Sequence, residues 1–112
     1  MQTNADLAAG PVLEALADPT RRSVFERLSR EPMSVGQLAE LVPVTRPAVS
    51  QHLKVLAAAG LVTVTQQGTR RIYAARREGL IMLRDYLDAM WRDGLSAFAD
   101  AIDQENQEGS QA

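Results

Sequence analysis

The segment from Ser34 to Gly60, SVGQLAELVPVTRPAVSQHLKVLAAAG, leaves this chain few ways to fold. It reads as two helices, about Val35 to Leu41 and Arg46 to Ala59, separated by Val42-Pro43-Val44-Thr45. Ser34 caps the first helix with its hydroxyl, and Gln37 reaches back to the Ser34 amide, which completes a capping box. Pro43 has no N–H and disfavours a helical residue before it, so the first helix stops near Leu41. Thr45 caps the second helix, and Pro47 falls in its first turn, where a missing N–H costs nothing. Gly60 supplies the left-handed residue that ends it. Two helices joined by so short a turn make a helix-turn-helix.

The second helix has two chemically different faces. Val49, Leu53 and Leu56 recur every three to four residues and pack inward on Leu38 and Leu41. Arg46, Ser50 and Lys54 recur every four residues on another stripe, flanked by Pro47 and Gln51. Such donors and acceptors at the head of a helix suit base edges and phosphates in a major groove; the competing reading is a plain solvated face. His52 lies at the edge between the faces, where a hydrogen bond across the helix-turn-helix and a contact to DNA phosphate are equally open.

The flanks support this unit. Residues 1–10 carry no pattern and are expected to form a flexible N-terminus. Val12, Leu13 and Leu16 mark a short helix from Pro11, and Asp18-Pro19 restarts a helix that turns Val24, Phe25 and Leu28 inward. Arg21 and Arg22 read as surface charges rather than phosphate contacts. Met33 to Val35 adds a short strand. After Gly60, residues 61–65 and 71–74 read as strands, with Gly68 where a hairpin must turn. A ribbon directly after a reading helix is a wing, and its Arg70 and Arg71 suit flanking phosphates or a narrow minor groove; a solvated hairpin is the alternative. From Glu78 to Glu105 runs one long helical pattern, with a break expected near Gly94. Its stripe of Leu80, Leu83, Leu87, Met90, Trp91, Leu95, Phe98 and Ile102 exceeds what so small a domain buries, and a second copy would cover it. The fold class is therefore mainly α with a small β-hairpin (α+β): one domain over 11–105 with a disordered tail at 106–112.

Charge is organised along the chain. The total is −2, yet residues 21–77 carry a net +7 between acidic flanks, and local charge governs attraction to phosphate. The acidic tail repels DNA and turns the basic face toward it. No apolar run approaches a membrane span, and no basic-then-apolar leader opens the chain, so a cytoplasmic protein with no membrane association is expected. Cysteine is absent and His52 is the single histidine, which removes disulfides, thiolate metal sites and cysteine nucleophiles. With no glycine-rich phosphate loop and no carboxylate pair in an evident pocket, the residues argue against an enzyme, and no cofactor is expected.

The order of ALADPTRRSVFERL at 15–28, SVGQLAEL at 34–41, TRPAVSQHLKVLAAAGLV at 45–62 and QGTRRIYAA at 67–75 resembles the ArsR family of bacterial winged helix-turn-helix repressors over residues 11–102. The resemblance implies a homodimer that binds an imperfect palindrome in double-stranded promoter DNA and represses transcription, often of its own operon. It places the reading helix on Thr45, Arg46, Pro47, Ser50, Gln51, His52 and Lys54, and the wing on Gly68, Thr69, Arg70 and Arg71. The dimer surface falls on the first and last helices, at Val12, Leu13, Leu16, Leu83, Leu87, Met90, Trp91, Phe98 and Ile102. The chain departs from metal-sensing members: residues 35–38 hold no cysteine, and the last helix has Asp85, Asp88 and Asp93 but no histidine. No metal site is expected, and the inducer is unknown. The competing readings are a winged helix that docks on an acidic protein, and a repressor with a small-molecule effector beside Trp91 and Phe98.

Overall fold

The computed structural model describes residues 4–110. Among them are five helices, α1 (Asn4–Ala17), α2 (Pro19–Arg30), α3 (Val35–Leu41), α4 (Arg46–Ala58) and α5 (Arg77–Ser110), and one small sheet. Its strands β1 (Met33–Ser34), β2 (Val62–Gln67) and β3 (Arg70–Ala75) run in the order β1-β3-β2, antiparallel throughout. This is the α+β winged helix-turn-helix anticipated above, with differences of detail.

The caps act as the residue types dictate. Asp18 accepts from the Arg21 amide at 2.8 Å, with Pro19 opening α2. Ser34 and Gln37 form both halves of the capping box on α3, at 3.2 and 2.9 Å. Thr45 accepts from the Ala48 amide at 3.3 Å to start α4. The two-residue loop Gly68-Thr69 joins β2 to β3, and Gly68 alone takes positive φ there (62°), the pattern of a hairpin turn whose first residue is glycine. The tight loop lets both strands run longer than expected.

Val24, Phe25 and Leu28 of α2, Leu38 of α3, and Val49, Leu53 and Leu56 of α4 meet Val12, Leu61 and Val62 in one core. Leu41 does not join them; it is exposed, and Val42, extended after the helix end, is buried instead. Arg21 and Arg22 donate back to the final carbonyls of α1: Arg21 Nε to Ala15 O at 2.6 Å and Arg22 NH1 to Leu16 O at 2.9 Å. Their charge also lies where a helix C-terminus favours cations.

Helix α1 begins at Asn4 rather than Pro11, so residues 4–10 are helical and Ala9 is buried; Met1 to Thr3 lie outside the described residues. Pro11 forfeits one hydrogen bond inside the helix, and the burial of Ala9, Val12 and Ala15 offsets that loss. Helix α5 passes Gly94 without a break and continues to Ser110, so most of the expected tail is helical, while Gln111 and Ala112 lie outside the described residues. At 34 residues it is about 51 Å long. It gives the molecule its 75 × 28 × 21 Å extents. Among the described residues no helix is long and apolar enough to cross a membrane.

Two outcomes test this packing. Gly79, near the start of α5, is buried with no room for a methyl group: a Cβ would meet Leu61 Cδ2 at 2.8 Å and the Gly60 carbonyl at 3.0 Å. Gly79→Ala therefore lowers stability by ~1–3 kcal/mol in urea unfolding, despite alanine's better helix propensity. The Arg21 amide holds the Asp18 carboxyl below its ordinary value of 3.8, with His52 and Arg21 charges adding to the effect. A lowered folded value means the contribution is present above that ordinary value and is lost as pH falls through the folded one. Asp18→Asn, which keeps the cap but cannot titrate, should flatten the acid limb of the stability curve below about pH 4.

Candidate nucleic-acid interface

Helix α4 sits on the core by its apolar stripe and turns its polar stripe outward. Arg46, Pro47, Gln51 and Lys54 are exposed, while Ser50 is half-buried. Thr45 is exposed but its hydroxyl is already engaged as the cap. His52 is half-buried, and its Nδ1 is buried without a hydrogen-bond partner among the described residues. The Asp18 carboxylate lies within electrostatic reach of that ring. His52 therefore turns one ring nitrogen into the protein rather than toward solvent.

The heads of α3 and α4 and the wing enclose a cleft of about 530 Å³, lined in part by Ser34, Gly36, Glu40, Arg46, Arg70 and Arg71. The Ser34 hydroxyl accepts from Arg70 NH2 at 3.1 Å as well as from the Gln37 amide. One oxygen thereby caps α3 and ties the wing to it. The short pairing of β1 with β3 brings the two segments together, with Ser34 opposite Ile72. Arg46 lies across Gly36: a Cβ there would stand 3.3 Å from Arg46 NH2. Three guanidinium groups and one carboxylate thus face a single opening. Neither of the two ion pairs among the described residues involves Arg46, Arg70, Arg71 or Lys54. Their charge is left to act on an external anion, and the fork of each guanidinium suits a phosphate.

Gly68, Thr69, Arg70 and Arg71 form the exposed tip of the wing, beyond the half-buried Ile72 and Tyr73. The structure therefore brings Arg46 together with Arg70 and Arg71, and keeps Gln51 and Lys54 on the outer surface of α4. Sequence reasoning missed Ser34 as the partner of Arg70 and Gly36 as the floor under Arg46. A glycine inside a seven-residue helix, where it costs helix propensity, is the signal that another group approaches closely.

The surface expected to meet a second copy divides in two. Val12 is fully buried in the chain's own core, so it has nothing left to offer a partner; Leu16 and Leu83 are half-buried against that core. Leu13, Leu87, Met90, Trp91, Phe98 and Ile102 are exposed, Trp91 at 68% and Phe98 at 63%. No group of three or more potential metal-binding side chains occurs among the described residues.

A helix-turn-helix domain model matches residues 16–65, from the end of α1 to β2. The chain is 52% identical over 92 residues to the HTH-type transcriptional regulator Rv2034 of Mycobacterium tuberculosis, covering 82% of this chain and 86% of that protein. It is 42% identical over 66 residues to the HTH-type transcriptional repressor SmtB of the same species, across 59% of this chain and about half (49%) of that protein. A crystallised ArsR family transcriptional regulator superposes with a TM-score of 0.76 at 30% identity, covering 86% of this chain and 98% of the other.

The Ser34 hydroxyl serves two elements, so its removal has a defined cost. Ser34→Ala should lower stability by about 1 kcal/mol, the usual value of a helix cap, as read by chemical denaturation. The same substitution frees the Arg70 guanidinium, which should show as faster side-chain relaxation of that group in NMR.

Proposed function

The chain belongs to the ArsR family of winged helix-turn-helix transcriptional regulators, and on that premise we propose that it acts as a homodimeric repressor of a palindromic promoter operator. As a DNA-binding transcriptional regulator it needs two surfaces, one for bases and one for the backbone. Ser50, Gln51 and Lys54 of α4 lie in the major groove, while Arg70 and Arg71 of the wing reach flanking DNA. Arg46 closes on the backbone beside them. The observation that carries this reading is the convergence of Arg46, Arg70 and Arg71 on one cleft with no ion pair to them among the described residues.

A twofold dimer presents two α4 helices about 34 Å apart, so half-sites should be centred about 10 base pairs apart or at a multiple of that spacing. The relative named as a repressor supports repression as the direction of control. Autoregulation is the simplest arrangement, and DNA upstream of the chain's own gene is the first operator to try. An acidic α5 remote from the basic face steers the dimer by repelling phosphate.

Fluorescence anisotropy against that duplex and a scrambled one, at several salt concentrations, tests the assignment. Gln51→Ala should lose affinity mainly for the cognate duplex, by about 1–3 kcal/mol. Arg70→Ala should weaken both duplexes alike and reduce the salt slope by about one unit. Equal losses on the two duplexes for Gln51→Ala would remove it from the readers, and no binding to duplex DNA even at low salt would defeat the function itself.

A further inference from the structure

The cleft between α3, the head of α4 and the wing is larger than one DNA phosphate fills. A duplex needs only exposed donors along a surface, and a passing backbone touches the rim of a concavity. This concavity measures about 530 Å³, within the range of small-molecule sites. Its lining is unbalanced in charge: the guanidinium groups of Arg46, Arg70 and Arg71 stand against one carboxylate, Glu40.

The cationic groups are set before any ligand arrives. Arg70 donates to Ser34 Oγ at 3.1 Å, and Arg46 lies across Gly36, where a Cβ would stand 3.3 Å from its NH2. Both therefore gather over the same short segment, Ser34 to Gly36. None of the three arginines is in an ion pair among the described residues. A guanidinium stays charged at physiological pH, and its fork matches two oxygens of a phosphate. Donors already in position lose less freedom on binding. Three forks pairing in this bidentate way outnumber the three free oxygens of a single phosphate group, so the matching ligand carries a second phosphate beside the first. Val35 and the Thr69 hydroxyl complete the wall and suit an organic remainder.

We propose that this cleft binds a free small molecule bearing a diphosphate or two neighbouring phosphates, and that the molecule displaces DNA. The binding stands on the cleft alone; the displacement rests on the function proposed above and gives it a regulator. Arg46 and Arg70 serve the DNA backbone in the operator complex, and the same forks do not hold two anions at once. The ligand thus acts as an inducer by occupying the interface itself, with no change of shape.

Inorganic pyrophosphate is the probe, titrated by calorimetry into the full chain at about 0.15 M salt. One site per protomer with a Kd below about 100 µM is expected, and Arg46→Ala and Arg70→Ala should each weaken it about tenfold or more. Arg92→Ala removes an exposed arginine outside the cleft and should leave it unchanged. Equal losses in all three variants, or an equal response to sulfate at the same ionic strength, would reduce the effect to screening and overturn the proposal. A second arm follows a fluorescent duplex that the protein has selected from a random pool. Pyrophosphate should release it over the concentrations that fill the calorimetric site, well before sodium chloride of equal ionic strength does. A duplex that stays bound throughout would show that only DNA phosphates use the cleft, overturning this inference while sparing the proposed function. Pyrophosphate binding by a protein that selects no duplex would keep the site and defeat that function instead.

Discussion

Whatever α4 presents to solvent is positioned by what its other face buries. Val49, Leu53 and Leu56 are essentially inaccessible, locked against Leu38, Leu61 and the α2 residues Val24, Phe25 and Leu28. A close-packed interior does not deform continuously, so this contact fixes the rotation of α4 about its axis. Rotation decides which side chains face a groove. Truncating Leu53 or Leu56 would leave Arg46, Gln51 and Lys54 in place along the chain and still lose their common direction.

The wing is held by a different and weaker device. Two residues of β1 pair with β3, and the Ser34 hydroxyl accepts the Arg70 guanidinium on an exposed surface. A hairpin of two strands is marginal alone, so the third strand and the α3 cap stiffen its base while the Gly68-Thr69 tip stays exposed. That division would suit the role proposed for the wing, on DNA of slightly varying groove width. In the proposed complex the helix would carry specificity and the ribbon charge.

Much of this was legible in the sequence because the signals were local. Ser34 with Gln37, Asp18 with Pro19, Thr45 with Pro47, and the paired glycines Gly60 and Gly68 announce element ends through backbone chemistry alone. What escaped depended on distant groups. The start of α1 at Asn4 was hidden because Pro11 reads as a first helical residue, and only packing along α5 makes it worth carrying inside the helix. Gly94 suggested a break that tertiary structure does not impose. Arg21 and Arg22 looked like surface charge, yet their partners are carbonyls on the preceding helix. Val12 had the spacing of an interface residue but is consumed by the core. In the site, the reading stripe was visible from period alone, while the cleft formed by Ser34, Gly36, Arg46 and Arg70 required a contact between residues 36 positions apart.

As the proposed homodimer, two copies would present two equivalent reading surfaces to one operator. Hydroxyl-radical footprinting tests it most directly, on a duplex selected by this protein from a random pool. A twofold dimer should give two protected windows of equal strength, related by a twofold axis and centred about 10 base pairs or a multiple apart, each flanked by a weaker wing-protected segment. A single asymmetric window at saturating protein would contradict it.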